Sequence, residues 1–117
     1  MSAALPTLFS KGFRMPAEWA PHAATWLAWP HQKSDWPDKF AAVPWVFAEI
    51  ARQLQDGERI RLIVSDKASE KQAKQAFLQS GVDLKRVDFF RCATDRSWTR
   101  DFLPLFVKKK KERALVK

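Results

Sequence analysis

Residues 59–82 read RIRLIVSDKASEKQAKQAFLQSGV, and the hydrophobic period changes from two to 3.6 inside them. Arg59 to Val64 alternates charged with aliphatic residues and then turns wholly apolar, the pattern of a strand with a buried face. Asp66 can offer its carboxylate to the open N–H groups of a helix start, and the spacing predicts a helix over 67–79. Ala73, Ala76 and Phe77 fall on its inner side, Lys67, Lys71 and Lys74 on its outer side, and Gly81 ends it. A strand that feeds a helix so directly is half of an α/β unit.

The flanks supply the other half. Upstream, His22 to Trp29 (HAATWLAW) is dense in Thr and Trp and reads as a short strand closed by Pro30. Residues 30–38 carry loop chemistry in Pro30, Ser34, Asp35, Pro37 and Asp38. Val43, Phe47, Ile50, Ala51 and Leu54 then recur at helical spacing, with Pro44 in the first turn and Gly57 at the close. Downstream, Val87 to Arg91 (VDFFR) is a third strand, Thr94 to Asp101 a polar loop, and Leu103 to Val107 a fourth strand. Residues 1–15 read as an irregular entry. The order β-α-β-α-β-β argues an α/β class. Only a basic tail, 108–117, follows the last strand, with no element to cover it.

With 117 residues the chain suits one domain. Hydrophobic residues make up 46% and charged residues 29%, a globular composition that excludes collagen and disordered tails. The net charge of +8 invites an anionic partner, but its distribution argues otherwise. Six Lys/Arg and one Glu sit in 108–117, leaving fifteen and twelve in the rest. A terminal charge run of this kind is a solvated segment more often than a binding face. The single cysteine, Cys92, excludes an internal disulfide and fits a reducing compartment. No apolar run reaches the roughly 18–20 residues of a membrane span, and Met1 to Ser10 lacks signal-peptide character. A cytoplasmic address and no membrane partner are the expectations.

Three constellations could carry chemistry. Thr94 to Asp101 (TDRSWTRD) packs two carboxylates, two guanidinium groups and an indole into a loop between strands. A carboxylate beside a Trp face is what a flat cation needs, through bidentate hydrogen bonds and stacking. The same loop could satisfy itself, with Asp95 capping and Arg100 paired to Asp101. Trp19, Trp26, Trp29, Trp36 and Trp45, interleaved with His31, Lys33 and Lys39, could form a stacking platform for single-stranded nucleic acid. The competing reading puts Trp26 and Trp29 in the core and makes Trp45 an anchor of the helix. Cys92 beside Arg91 could be an activated thiol or a small buried hydrophobe. Two His and one Cys show no metal-ligand spacing, so no metal is expected.

Taken in order, GFRMPAEW (12–19), HAATWLAWP (22–30) and TDRSWTRD (94–101), with Pro104 and Phe106-Val107, resemble the agmatine deiminases and the bacterial, Porphyromonas-type peptidylarginine deiminases. The resemblance runs from about Lys11 to the end of the sequence, roughly the first third of a family member. It implies a five-bladed α/β propeller of the guanidino-modifying superfamily (the pentein fold), with a mixed sheet and ββαβ units, of which 1–117 would be a single incomplete, N-terminal domain segment.

The resemblance also implies a reaction. A Cys thiolate attacks the guanidinium carbon, ammonia leaves, and water hydrolyses the covalent intermediate to a ureido product. For agmatine that product is N-carbamoylputrescine, on a route to putrescine. No cofactor is implied. Trp98 matches the family's pocket Trp and Asp101 its guanidinium-binding acid. The family's catalytic Cys, His and second acid lie in later blades, so none of the catalytic residues is expected in this chain, and Cys92 does not match the nucleophile. The family's Arg-Asp-Ser-Gly-Pro reads Arg100-Asp101-Phe102-Leu103-Pro104 here. The expected partners are a small guanidino substrate, and either a second copy or a C-terminal portion. A small basic Trp-rich nucleic-acid-binding module is the alternative.

Overall fold

A computed structural model describes residues 5–116, except the side chain of Asp101. The chain folds as two units. His22–Thr99 forms one; the described residues up to Pro21, with those from Arg100 onward, form the other.

The larger unit is built around a three-stranded parallel sheet in the order β1-β2-β3, where β1 is Ala24–Ala28, β2 Arg59–Val64 and β3 Val87–Arg91. Thr25 pairs with Ile60 and Leu27 with Leu62; Ile60 in turn pairs with Val87 and Leu62 with Phe89. Parallel strands need long crossovers, and α1 (Val43–Leu54) and α2 (Lys67–Gln79) supply them. Alternation along β2 sends Ile60, Leu62 and Val64 to one face, where they meet Ala48 and Ala51 of α1 and Ala73, Ala76 and Phe77 of α2. Both helices therefore cover the same face. Trp29 enters that core edge-on to Phe77, with ring centroids 5.8 Å apart, and donates its indole N–H to Gln72.

The ends of α2 follow the sequence reading. Asp66 accepts a hydrogen bond from the Ser69 N–H at 2.8 Å, which closes the N-terminus. Gly81, at φ +84, lets the Val82 N–H turn back to the Phe77 carbonyl, a closure that a β-carbon would strain. The inner side of α1 differs from expectation. Ala48 is buried and Ile50 is exposed, because α1 lies close against its neighbours along a strip of small residues, Ala48 and Ala51. Trp26 also departs from the core. It points to the uncovered face of the sheet, where it stacks on Phe90 at 5.1 Å under the guanidinium of Arg61.

In the smaller unit the strand expected at 103–107 is β4, Leu105–Lys109, and it is followed by a further strand where a basic tail is expected. Residues Glu112–Val116 form β5, which pairs antiparallel with β4 from Leu105↔Val116 to Lys109↔Glu112. The expected basic tail is thus largely the end of one strand and all of the next. The reversal at Lys110 takes φ +52 without a glycine. Arg14 bridges Lys108 through two backbone hydrogen bonds of 2.8 Å. The parallel and antiparallel strands thus stand in two separate sheets, not in one mixed sheet.

Candidate functional site

In a parallel sheet, the loops that leave the C-terminal strand ends converge on one edge, the usual place for a ligand. Here two such loops meet. Residues 29–38 leave β1, and residues 92–98 leave β3. Both are anchored on the middle strand: the Trp29 N–H donates to the Ile63 carbonyl at 2.8 Å, and the Cys92 N–H to the Val64 carbonyl at 2.9 Å.

The loops then join at three successive points. The His31 Nε2 bonds the Thr94 carbonyl oxygen. Arg96 donates to the carboxylate of Asp35 and pairs with it in charge. Trp36 packs on Trp98, with ring centroids 5.9 Å apart and planes tilted by 43°. One more bond, from the Thr99 hydroxyl to the Trp26 carbonyl at 3.2 Å, ties the end of the second loop to β1. Ser97, between Arg96 and Trp98 in sequence, is buried, while Trp98 keeps 43% of its surface exposed. An indole that is backed by one ring and open over almost half its surface can still bound the face of a flat ligand.

The electrostatics of the clasp centre on Asp35. Its side chain is only 1% exposed, although the Arg96 side chain that pairs with it is 55% exposed. Among the described residues, its Oδ2 accepts no hydrogen bond, and neither the Trp36 Nε1 nor the His31 Nδ1 finds a partner. Since Nε2 faces a carbonyl, it must carry a proton, so a neutral His31 presents Nδ1 as an acceptor. Nearby carboxylates are held below their ordinary range: Asp66 by the Ser69 N–H at the helix start, and Glu70 by hydrogen bonds from Arg91 and then Lys74.

The residues picked out in the sequence distribute as follows. Trp98 stands in the clasp. Asp101 falls in a short helical turn, Thr99–Phe102, where a plain loop is expected, and its side chain lies outside the described residues. Arg100 donates to the carboxylate of Glu18. Cys92 is exposed, which corrects its reading as a buried hydrophobe. Within the larger unit Trp26 and Trp29 do not share a stacking surface: Trp29 is in the core and Trp26 is on the opposite face of the sheet, while in the smaller unit Trp19 is 90% exposed. The pairing of Asp35 with Arg96 escapes the sequence reading. They are 61 residues apart, and no local spacing links them.

Comparison with known proteins bears on this arrangement directly. The family model described as Porphyromonas-type peptidyl-arginine deiminase matches residues 14–117. An agmatine deiminase of Stutzerimonas stutzeri is 35% identical over 96 residues, which cover 82% of this chain and 24% of that protein. One from Ectopseudomonas mendocina is 32% identical over 107 residues, or 92% of this chain and 27% of its own length. The chain spans about a quarter of these relatives, somewhat less than the third expected. In structure, the agmatine deiminase of Enterococcus faecalis superposes with a TM-score of 0.75 over 90% of this chain and 27% of its own, at 23% identity. That of C. jejuni gives 0.71 over 88% and 30%, also at 23% identity. These two show a shared fold across most of the chain. By the extent of the family match and the identity of its relatives, the chain belongs to the Porphyromonas-type peptidyl-arginine deiminase family.

Proposed function

We propose that residues 1–117 are the N-terminal segment of an agmatine deiminase, an incomplete single domain that supplies one wall of its guanidinium site. The whole enzyme would convert agmatine and water to N-carbamoylputrescine and ammonia, in the cytoplasm, without a cofactor. Its frame would be the five-bladed α/β propeller, completed by a C-terminal portion. The observation that carries this reading is the family match over residues 14–117, a range that contains the TDRSWTRD loop, together with relatives that are agmatine deiminases.

Within that site the roles divide by chemistry. The Asp101 carboxylate accepts two N–H groups from the edge of the guanidinium, and the Trp98 indole covers its face. The Trp98 half of the site is supported by its exposed face and by its backing from Trp36. The family's nucleophilic cysteine, general acid/base histidine and second acid are unmatched among residues 1–117, so this chain binds and does not convert. The two histidines it has face Glu58 and the Thr94 carbonyl.

Titration calorimetry of the 117-residue chain with agmatine tests the proposal. Binding is expected, weakened about tenfold or more in Asp101→Asn and by a few-fold to tenfold in Trp98→Ala. No ureido product should form. Equal affinity in the Asp101→Asn variant, or ureido product that this variant abolishes, would overturn the assignment.

A further inference from the structure

The recognition loop carries a guanidinium of its own, two residues before the indole. Arg96 is long, always charged and more than half exposed, and it has the same head group as the proposed ligand. Unrestrained, it could stack on the open face of Trp98 and would be a competitor at the high local concentration of a tethered group. It would also repel an incoming cation. In the structure it does neither, because its guanidinium is drawn back onto Asp35.

We infer that Asp35 is a specificity-determining residue of the cation site, which sequesters Arg96 so that Trp98 stays open to an external guanidinium. The inference rests on the proposed role of Trp98 and adds to it. Two observations single out this acid. Its side chain is 1% exposed, so the carboxylate end of the pair is withdrawn from solvent while the Arg96 end stays more than half exposed. Its neighbour in the chain, Trp36, is the ring that backs Trp98. One dipeptide, Asp35-Trp36, thus holds the arginine away from the indole and holds the indole in place. The unpartnered Oδ2 of Asp35 leaves the carboxylate with accepting capacity beyond its single bond to Arg96.

A structural clasp and a charge-sequestering device respond differently to removal of Arg96. Agmatine titrations on the 117-residue chain decide between them, with butylurea as an uncharged probe of similar shape. Asp35→Asn is expected to weaken agmatine about fivefold to tenfold at low salt and to leave butylurea unchanged. The defect should shrink as salt is raised. Removing the freed cation as well, in Asp35→Asn with Arg96→Gln, should restore affinity to within about twofold. A double variant as weak as Asp35→Asn alone would mean that the pair is only a clasp, and the inference falls. It falls equally if Asp35→Asn binds agmatine normally. Should Asp35→Asn fail to fold by circular dichroism, Arg96→Gln alone decides: unchanged or tighter agmatine binding supports sequestration, and a fivefold loss overturns it. Asp101→Asn run in parallel separates the two readings. Loss there with an indifferent Asp35 defeats the inference alone, whereas an indifferent Asp101 with the Asp35 pattern intact defeats only the carboxylate assignment. No agmatine binding by the unmodified chain overturns both.

Discussion

His22–Thr99 and the β4–β5 hairpin are both made of strands rich in Leu, Val and Phe, yet they spend those side chains differently. In the larger unit Ile60, Leu62 and Val64 of β2 are fully buried against two helices, together with Phe77 of α2. In the hairpin Leu105, Phe106, Leu115 and Val116 are all exposed, Leu115 by 61%. A three-stranded parallel sheet with helices on one face builds a core from its own residues, whereas a two-stranded hairpin has too little surface to do so and is marginal alone in water. The comparison says where the stability of this chain resides. Apolar content alone would have missed it.

The largest expected effect tests that division. Phe77→Ala empties a site at the centre of the packed face, touching Trp29 and Phe89 through ring contacts of 5.8 and 6.4 Å. It should cost about 3–5 kcal/mol of unfolding free energy, read as a lowered urea midpoint. Leu115→Ala on the hairpin should stay within about 0.5 kcal/mol, since little is buried there to lose. Comparable losses from the two substitutions would break the contrast.

How much of this is legible in the sequence follows the same division. The strand over 59–64, the helix over 67–79 and the strand over 87–91 are readable to the residue, because period, cap and helix stop all agree: Asp66 caps, Gly81 closes, and Ala73, Ala76 and Phe77 turn inward. Ile50 defeats the reading, since hydrophobicity alone cannot tell that a close helix approach favours Ala48 over a larger neighbour. β5 is hidden by its turn. Lys110 and Lys111 carry no Gly, Asn, Asp or Pro, and a run of four lysines reads as solvated chain. Trp98 and Asp101 are readable as site residues only through the family resemblance. The three contacts that hold Trp98's loop join residues about sixty positions apart, which no local pattern encodes.

A second, smaller effect sharpens the comparison through pH. Among the described residues, the carboxylates held below their ordinary range lie in the larger unit. They are Glu49, lowered to about 2 by hydrogen bonds from Arg52 and then Gln53, with Asp66 held by the Ser69 N–H, Glu70 by Arg91 and Asp88 by Arg59. A depressed folded value means that the folded state favours the ionised form. The resulting stability is fully present above the unfolded values of 3.8 and 4.5 and is lost as pH falls below them towards the depressed ones. Urea midpoints should therefore be flat from pH 7 to 5 and decline below about 4.5, modestly, because these groups are wholly or partly open to solvent and screened. A decline that begins between pH 7 and 6 would count against these carboxylates as its source.

The smallest effect belongs to the hairpin turn. Lys110 holds φ +52, a region in which an L side chain is crowded by its own backbone and glycine is not. Hairpin reversals of two residues favour glycine where φ is positive, because the backbone twist there matches that of the strands. Lys110→Gly removes the crowding but also adds freedom to the unfolded chain, and the two terms oppose each other at about 0.5–2 kcal/mol each. The expected net is a stabilisation of the β4–β5 pairing of under about 1 kcal/mol. Amide exchange at Val107 and Ala114, which face each other across the ladder next to the Lys108 amide that turns outward to Arg14, would register it as slower exchange, while exchange in β2 should be unaltered. If β2 slowed to the same degree, the hairpin and the parallel sheet would be opening as one cooperative body, and the distinction between a self-sufficient core and a dependent hairpin would have to be given up.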